Sequence, residues 1–536
     1  MYDETNTFSY EGGNQMAVYV NSPKSFLGSR KKLISRQTLV SDTALLIYLA
    51  LITFLAHLAT SANYGFFRDE LYYIDAGKHL AFGYVEFPPL IALLAAFVHN
   101  VFGDSLIAYH ILPAVAGALL VALTGLMARE LGGGRFAQCL AALASLVATT
   151  FLAIDSLFSM DSFDELWWVL AAYILIRLIK RDEPKLWLLF GLVAGIGLMT
   201  KITILTFGFA IVAGLLLTPQ RKYLLNKWAW IGGAIAFAFL LPYILWNAAN
   251  GWPTLAFWST YTNGHANPAS ALGFLSQQVL TMNPLTLPLW LAGLYYYFFS
   301  RTGKPYRALG WTFVILFVLF TISRAKLYFL APAYPMLFAA GALVVERVVR
   351  ERRWYWVRPV YITLLAPIVM PILPPSIYGR ATAIVGGNAG IKVENRATGQ
   401  LPQQLADRFG WDTMVATVAQ VYHSLPQDEQ AEACILTQNY GEAGAVDLFG
   451  PQYHLPQAIS GHNTYYLWGP GKCTGAVVIS IGYPLDALQP VFESVTQAGT
   501  ITCKYCMPAE NNLPVYVCLH LKTSMKAIWP SVKHFD

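Results

Sequence analysis

Runs of about 15 to 20 apolar residues without a charge recur along this chain, the length a helix rising about 1.5 Å per residue needs to cross a hydrocarbon core. They fall near residues 43–60, 89–101, 105–127, 136–154, 163–179, 186–217, 229–246, 284–300, 311–323, 327–345 and 357–373. The stretch 186–217 is too long for one helix and is split by Lys201, whereas 89–101 is short and opens on Pro88-Pro89. Composition points the same way: 56% of residues are hydrophobic and only 12% charged, about half the charge density of an ordinary soluble domain. No water-soluble fold of this size hides that much apolar surface. The expected fold class is a polytopic α-helical membrane protein with about eleven transmembrane helices, embedded in a lipid bilayer.

Charge gives the orientation. Lys and Arg in short loops stay on the cytoplasmic side because such loops resist translocation. Basic groups occur at Lys24 to Arg36, Arg129 and Arg135, Arg177 to Lys185, Arg221 to Lys227, Arg301 to Arg307, and Arg347 to Arg358. They occupy every second loop if 89–101 and 105–127 together cross once. The loops around 61–88, 155–162, 201, 247–283 and 324–326, and everything after 374, then lie outside. The net charge of +6 is therefore a topology signal and not the footprint of a nucleic-acid partner. The first apolar run lies behind a polar segment, so no cleavable signal peptide is expected and the first span is an anchor. The expected location is the plasma (inner) membrane, multi-pass, with the N-terminus cytoplasmic.

Three segments follow: a cytoplasmic tail 1–42, a membrane domain 43–373, and an extracytoplasmic domain 374–536 that begins at Pro374-Pro375, where polar residues return. In the last segment, 402–424 has helical spacing, and 476–481 and 515–519 have the apolar, branched content of strands, with 434–436 a weaker third. A small α/β domain is expected. Five of the six cysteines fall there; disulfides suit an oxidising compartment, and Cys503-x-x-Cys506 reads as structural or incidental.

Chemistry concentrates in the outer loops. The first contains Phe66-Phe67-Arg68-Asp69-Glu70-Leu71-Tyr72-Tyr73 and ends Glu86-Phe87-Pro88-Pro89. A solvated charged loop is the plain reading, but this acidic pair is embedded among aromatics that favour burial. Carboxylates held in such places gain proton affinity and serve as bases. The second loop carries Asp155, Asp161, Asp164 and Glu165; capping of a helix N-terminus is the competing use of these acids. Lys201 stands between apolar stretches, and Arg324 and Lys326 precede Tyr328. Cations among long apolar runs usually mark function, although Lys also snorkels to the interface. Acids that activate a nucleophile, with cations that hold a phosphate, are what glycosyl transfer from a lipid phosphate requires.

At these residues the chain resembles glycosyltransferase family 39, the C-type membrane glycosyltransferases that include protein O-mannosyltransferases and lipid A aminoarabinose transferases. The matching pieces are Phe67-Arg68-Asp69-Glu70-Leu71-Tyr72-Tyr73, Gly83-Tyr84-Val85-Glu86-Phe87-Pro88-Pro89-Leu90, Leu198-Met199-Thr200-Lys201, and Lys326 through Pro335, with Ala406-Asp407-Arg408-Phe409-Gly410-Trp411 and Asn439-Tyr440-Gly441-Glu442-Ala443-Gly444-Ala445 in the outer domain. The resemblance implies a C-type fold and an inverting transferase that takes a sugar from a polyprenyl-phosphate donor on the outer face to a protein, lipid or glycan acceptor. It puts Asp69 in the place of the base, with Glu70 the adjacent alternative, and Asp161 in that of the second-loop acid that orients the acceptor or a metal. Lys201, Arg324, Lys326 and Tyr328 become candidates for the donor phosphate, and Arg68, Tyr72, Glu86 and Asp155 for substrate binding. Metal dependence varies among relatives, so no cofactor is assigned and a divalent metal stays open.

Two rivals compete with an enzyme. A transporter also buries charges, but near the midplane and often in two related halves; here the unusual charges gather at one face. A receptor-like binding protein would not need acids in both loops.

Overall fold

The computed structural model describes residues 41–264, 270–365 and 399–536. The basic groups before residue 41, the second half of the last apolar run and the expected boundary at 374 lie outside the described residues.

Five of the described helices are long and apolar enough to cross a membrane: Asp42–Ser61, Leu106–Glu130, Lys227–Ala249, Lys304–Ile322 and Leu327–Glu351. Others are shorter than the sequence runs suggest. The run 136–154 divides into Arg135–Leu146 and Thr149–Ile154, and 89–101 is a separate helix, Leu90–Phe102. As the charge at Lys201 implies, 186–217 divides there into Leu186–Thr200 and Thr203–Leu216, with Lys201 in extended backbone at the break. The first turns of Leu327–Glu351, Leu327–Ala333, are 3-10 and carry Pro332 before the α-helix Tyr334–Glu351. Inside a helix proline removes a backbone donor and its ring clashes with the carbonyl four residues back, whereas Pro335 in the first turn of Tyr334–Glu351 is tolerated.

Lipid is as apolar as leucine, so helices associate through close packing and not through burial. Helices Leu287–Phe299 and Tyr334–Glu351 show how: a Cβ on Gly341 would run into the Leu289 carbonyl, and one on Gly293 into that of Leu337. The bare backbones meet there. Exposed Ile47, Leu51, Leu55, Phe209, Trp230, Phe237 and Leu245 form the outward, lipid-compatible surface.

Residues 399–536 form a five-stranded sheet flanked by helices. With β1 Ala433–Thr437, β2 Ala458–Ser460, β3 Val477–Ile481, β4 Phe492–Ile501 and β5 Leu513–Leu521, the order is β2-β1-β3-β5-β4. β1 pairs in parallel with β2 and β3, whereas β5 pairs antiparallel with β3 and β4. β1 and β3 are buried throughout and read as continuous apolar runs, the mark of strands covered on both faces. β4 is mostly exposed, and its polar residues gave no strand signal. The expected helix over 402–424 is two, Gln403–Ala406 and Trp411–Ser424. Between them Gly410 takes φ +95°, a left-handed conformation that costs glycine little. A Cys434–Cys473 disulfide ties β1 to the segment before β3.

Candidate active site

Helix Arg68–Lys78 lies in the loop after the first span, and its first turn separates two neighbouring acids. Successive side chains on a helix diverge by about 100°, so Asp69 and Glu70 face different surroundings. Glu70 is fully buried. One of its oxygens accepts from the backbone N–H of Phe67 at 2.7 Å; the other accepts from the N–H of Phe158 at 2.6 Å and lies 2.9 Å from His110 Nε2. Glu70 thus ties the loop after the first span to the segment around Phe158. It does not line the cavity described next.

That cavity is partly open to solvent, and its cavity volume is ≈ 160 Å³. The first loop contributes Arg68, Asp69, Tyr72, Tyr73 and Glu86, the second Met160 and Asp161, the broken helix Lys201 and Thr203, and the turn before Tyr334 contributes Lys326, Tyr328 and Phe329. Asp69 keeps 31% of its side chain exposed and its Oδ1 accepts from Tyr440 Oη at 2.8 Å. Asp161 lies in the first turn of helix Met160–Arg181, its N–H bonded to the Ser159 cap at 3.2 Å. Its carboxylate pairs with the Lys201 ammonium, so it serves both the helix start and the cavity. Lys201 also sits 5.1 Å from the Tyr328 ring centre and 4.5 Å from that of Phe329, where aromatic faces stabilise a buried cation.

Two candidates besides Glu70 fall outside the lining. Asp155 is buried against Gly117 of helix Leu106–Glu130, and Arg324 is exposed at the end of its helix with φ +50°. Conversely, sequence reasoning assigned no role to Asn439, Tyr440, His462, Asn463 and Asp536, all of which line the cavity from the C-terminal domain. The only signal was the Asn439-Tyr440-Gly441 segment, matched but without a function.

Glu86 joins the two parts of the protein. Its carboxylate accepts from Tyr72 Oη at 2.9 Å and from Asn463 Nδ2 at 2.6 Å. A strip of its surface faces the cavity, but protein surrounds it densely, and burial pushes its pKa from 4.5 to about 8. The folded state therefore holds a proton that the unfolded chain has lost across this window. Folded stability contributed here is complete at low pH and falls as pH rises to about 8, by at most about 1.4 kcal/mol per pH unit. Thermal melts in detergent from acidic to mildly basic pH should show this decline in the wild type and a shallower one in Glu86→Gln. Identical slopes would remove the assignment.

Among the described residues, one group has metal-ligand spacing: His462, His534 and Asp536 have donor atoms within 4.8 Å of one another. His462 Nε2 is 3.0 Å from Asp536 Oδ1, and the two imidazoles stack at 4.5 Å. The group lies in the C-terminal domain, and its members His462 and Asp536 line the cavity.

Residues 86–246 match the family model described as dolichyl-phosphate-mannose-protein mannosyltransferase. No curated protein matches the chain by sequence. In fold the chain is similar to ArnT from Cupriavidus metallidurans bound to undecaprenyl phosphate, with TM-score 0.60 and 14% identity over 89% of this chain and 98% of that one. Its apo structure gives TM-score 0.58 and 15% identity over 88% and 97%. Both findings agree with the resemblance to glycosyltransferase family 39 read from the sequence.

Proposed function

We propose that the chain is a membrane glycosyltransferase that moves a sugar from a polyprenyl-phosphate donor to an acceptor hydroxyl on the outer face of the membrane, with inversion. The observation that carries this reading is the meeting, in one cavity, of an accessible carboxylate at Asp69 with the cations Lys201 and Lys326. A transporter has no use for a base that shares a cavity with two cations. The ArnT structure, bound to undecaprenyl phosphate, supports the donor class, and the mannosyltransferase family model supports a sugar on that carrier.

The steps follow from these positions. Asp69 takes the proton of the acceptor hydroxyl as its oxygen attacks the anomeric carbon. The bond from that carbon to the phosphate oxygen breaks, and its electron pair leaves with the polyprenyl phosphate. Lys201 and Lys326 offset the charge that develops there, and Tyr328 shapes the same wall. Asp161 fixes Lys201 and borders the acceptor side. A single displacement from the face opposite the phosphate inverts the configuration. In this reading the cavity opens outside the cytoplasm, with a membrane domain at 43–373 and an outer domain at 374–536. Acceptors are proteins, lipids or glycans of the envelope.

The test is turnover of a panel of undecaprenyl-phosphate-linked hexoses and pentoses by the purified full chain with cell-envelope acceptors. Release of undecaprenyl phosphate dependent on acceptor is expected for at least one donor. A panel bound but never turned over, with transport into proteoliposomes instead, would establish the transporter.

A further inference from the structure

We propose that Tyr440 of the outer domain is a positioning residue for Asp69, fixing which carboxylate oxygen meets the acceptor. The inference rests on the role given to Asp69 above. Tyr440 Oη donates to Asp69 Oδ1 at 2.8 Å, and the Arg68 Nε reaches the same oxygen at 3.5 Å. Among the described residues nothing donates to Oδ2. The hydrogen bond therefore locks the carboxylate's rotation and leaves Oδ2 to take the proton.

The tyrosine can do this because its own placement is fixed from several sides. It is the first residue of helix Tyr440–Phe449, whose start is held by a reciprocal cap: Asn439 Oδ1 accepts from Glu442 N–H at 3.0 Å, and Glu442 Oε2 accepts from Asn439 N–H at 3.2 Å. Its ring stacks on Tyr72 at 4.7 Å and lies 4.7 Å from the His462 ring, with the Arg68 guanidinium over it at 5.4 Å. The whole helix is seated on Arg68–Lys78 through glycines. A Cβ on Gly444 would lie 2.8 Å from the Leu71 backbone carbon, and one on Gly441 would run into the Arg68 side chain. A reacting group held by packed neighbours keeps its geometry through turnover. The outer domain is thus part of the catalytic apparatus and not only an acceptor-recognition module.

The experiment is a double-mutant cycle on the purified full chain, using the undecaprenyl-phosphate sugar identified by the panel. Tyr440→Phe keeps the ring and its stacking but removes the donor. We expect kcat to fall roughly tenfold, the scale of one hydrogen bond to a charged group, with KM for donor and acceptor within about twofold of wild type. In an Asp69→Asn background the same substitution should cost nothing further, because the two groups act as a unit. Full kcat in Tyr440→Phe, or an equal loss in both backgrounds, would overturn the proposal. If the Phe variant does not melt cooperatively, p-aminophenylalanine at 440, which keeps a weaker N–H donor, replaces it. An intermediate kcat then supports the role, and an unchanged one overturns it. Near-normal turnover in Asp69→Asn alone would instead show that the base is elsewhere, a failure of the underlying reading that the cycle separates from failure of Tyr440.

Discussion

Asp69→Asn is expected to insert and fold as the wild type does, to bind undecaprenyl phosphate normally, and to turn over about 10²- to 10⁴-fold more slowly. Asparagine keeps the shape and can still accept from Tyr440 through its carbonyl, so the loss isolates basicity. An acceptor hydroxyl is a poor nucleophile until a carboxylate takes its proton during attack. The adjacent acid provides the contrast. Glu70 is fully buried and bound to two backbone N–H groups and His110, so Glu70→Gln should act through folding, lowering the melting temperature. Substituting one partner in such a network strands buried polar groups, which costs about 1–3 kcal/mol each. Turnover retained in Asp69→Asn and lost in a fully folded Glu70→Gln would transfer the base to Glu70. Steady-state turnover alongside thermal melts for both variants decides it.

Lys201→Ala is expected to weaken binding of undecaprenyl phosphate by about 10- to 100-fold, the range for a charge-assisted partner in a partly buried site. Lys201 is 7% exposed, pairs with Asp161 and lies against two aromatic rings. Its removal therefore also leaves Asp161 without its cation. Lys326→Ala should fall in the same direction with a smaller loss, because Lys326 is less deeply held. Arg324→Ala should stay within about twofold of wild type, since an exposed charge outside the cavity is screened by solvent and salt. Titration of nanodisc-embedded variants with undecaprenyl phosphate at one ionic strength measures all three. Loss of affinity confined to Arg324→Ala would place the phosphate outside the cavity and sink the donor assignment.

Much of the candidate site was legible because membrane sequences make charge conspicuous. Asp69, Asp161, Lys201 and Lys326 each stand out against apolar or aromatic neighbours, and the structure brings all four to one cavity. What distinguished Asp69 from Glu70 was not legible: the two differ in the direction each takes from one helical turn and in what lies there. Asp155 and Arg324 carry the same sequence signal as the lining residues and fall elsewhere, because a charge pattern gives depth along the membrane but not azimuth around a helix.

The amino-acid sequence by itself determined the helical, membrane-crossing character, the break at Lys201 and strands β3 and β5, with β1 more weakly marked, since each follows from local hydrophobicity and its interruption. Strand β4 was hidden because its residues are polar and exposed, and its place depends on β5 beside it. Only the tertiary structure decided that Tyr440, His462 and Asn463, some 370 to 390 residues from the first loop, close the cavity against Asp69 and Glu86. Contacts at that separation arise from helix Tyr440–Phe449 docking through its glycines on Arg68–Lys78, and a docking surface leaves no periodicity in the sequence by which its partner can be read.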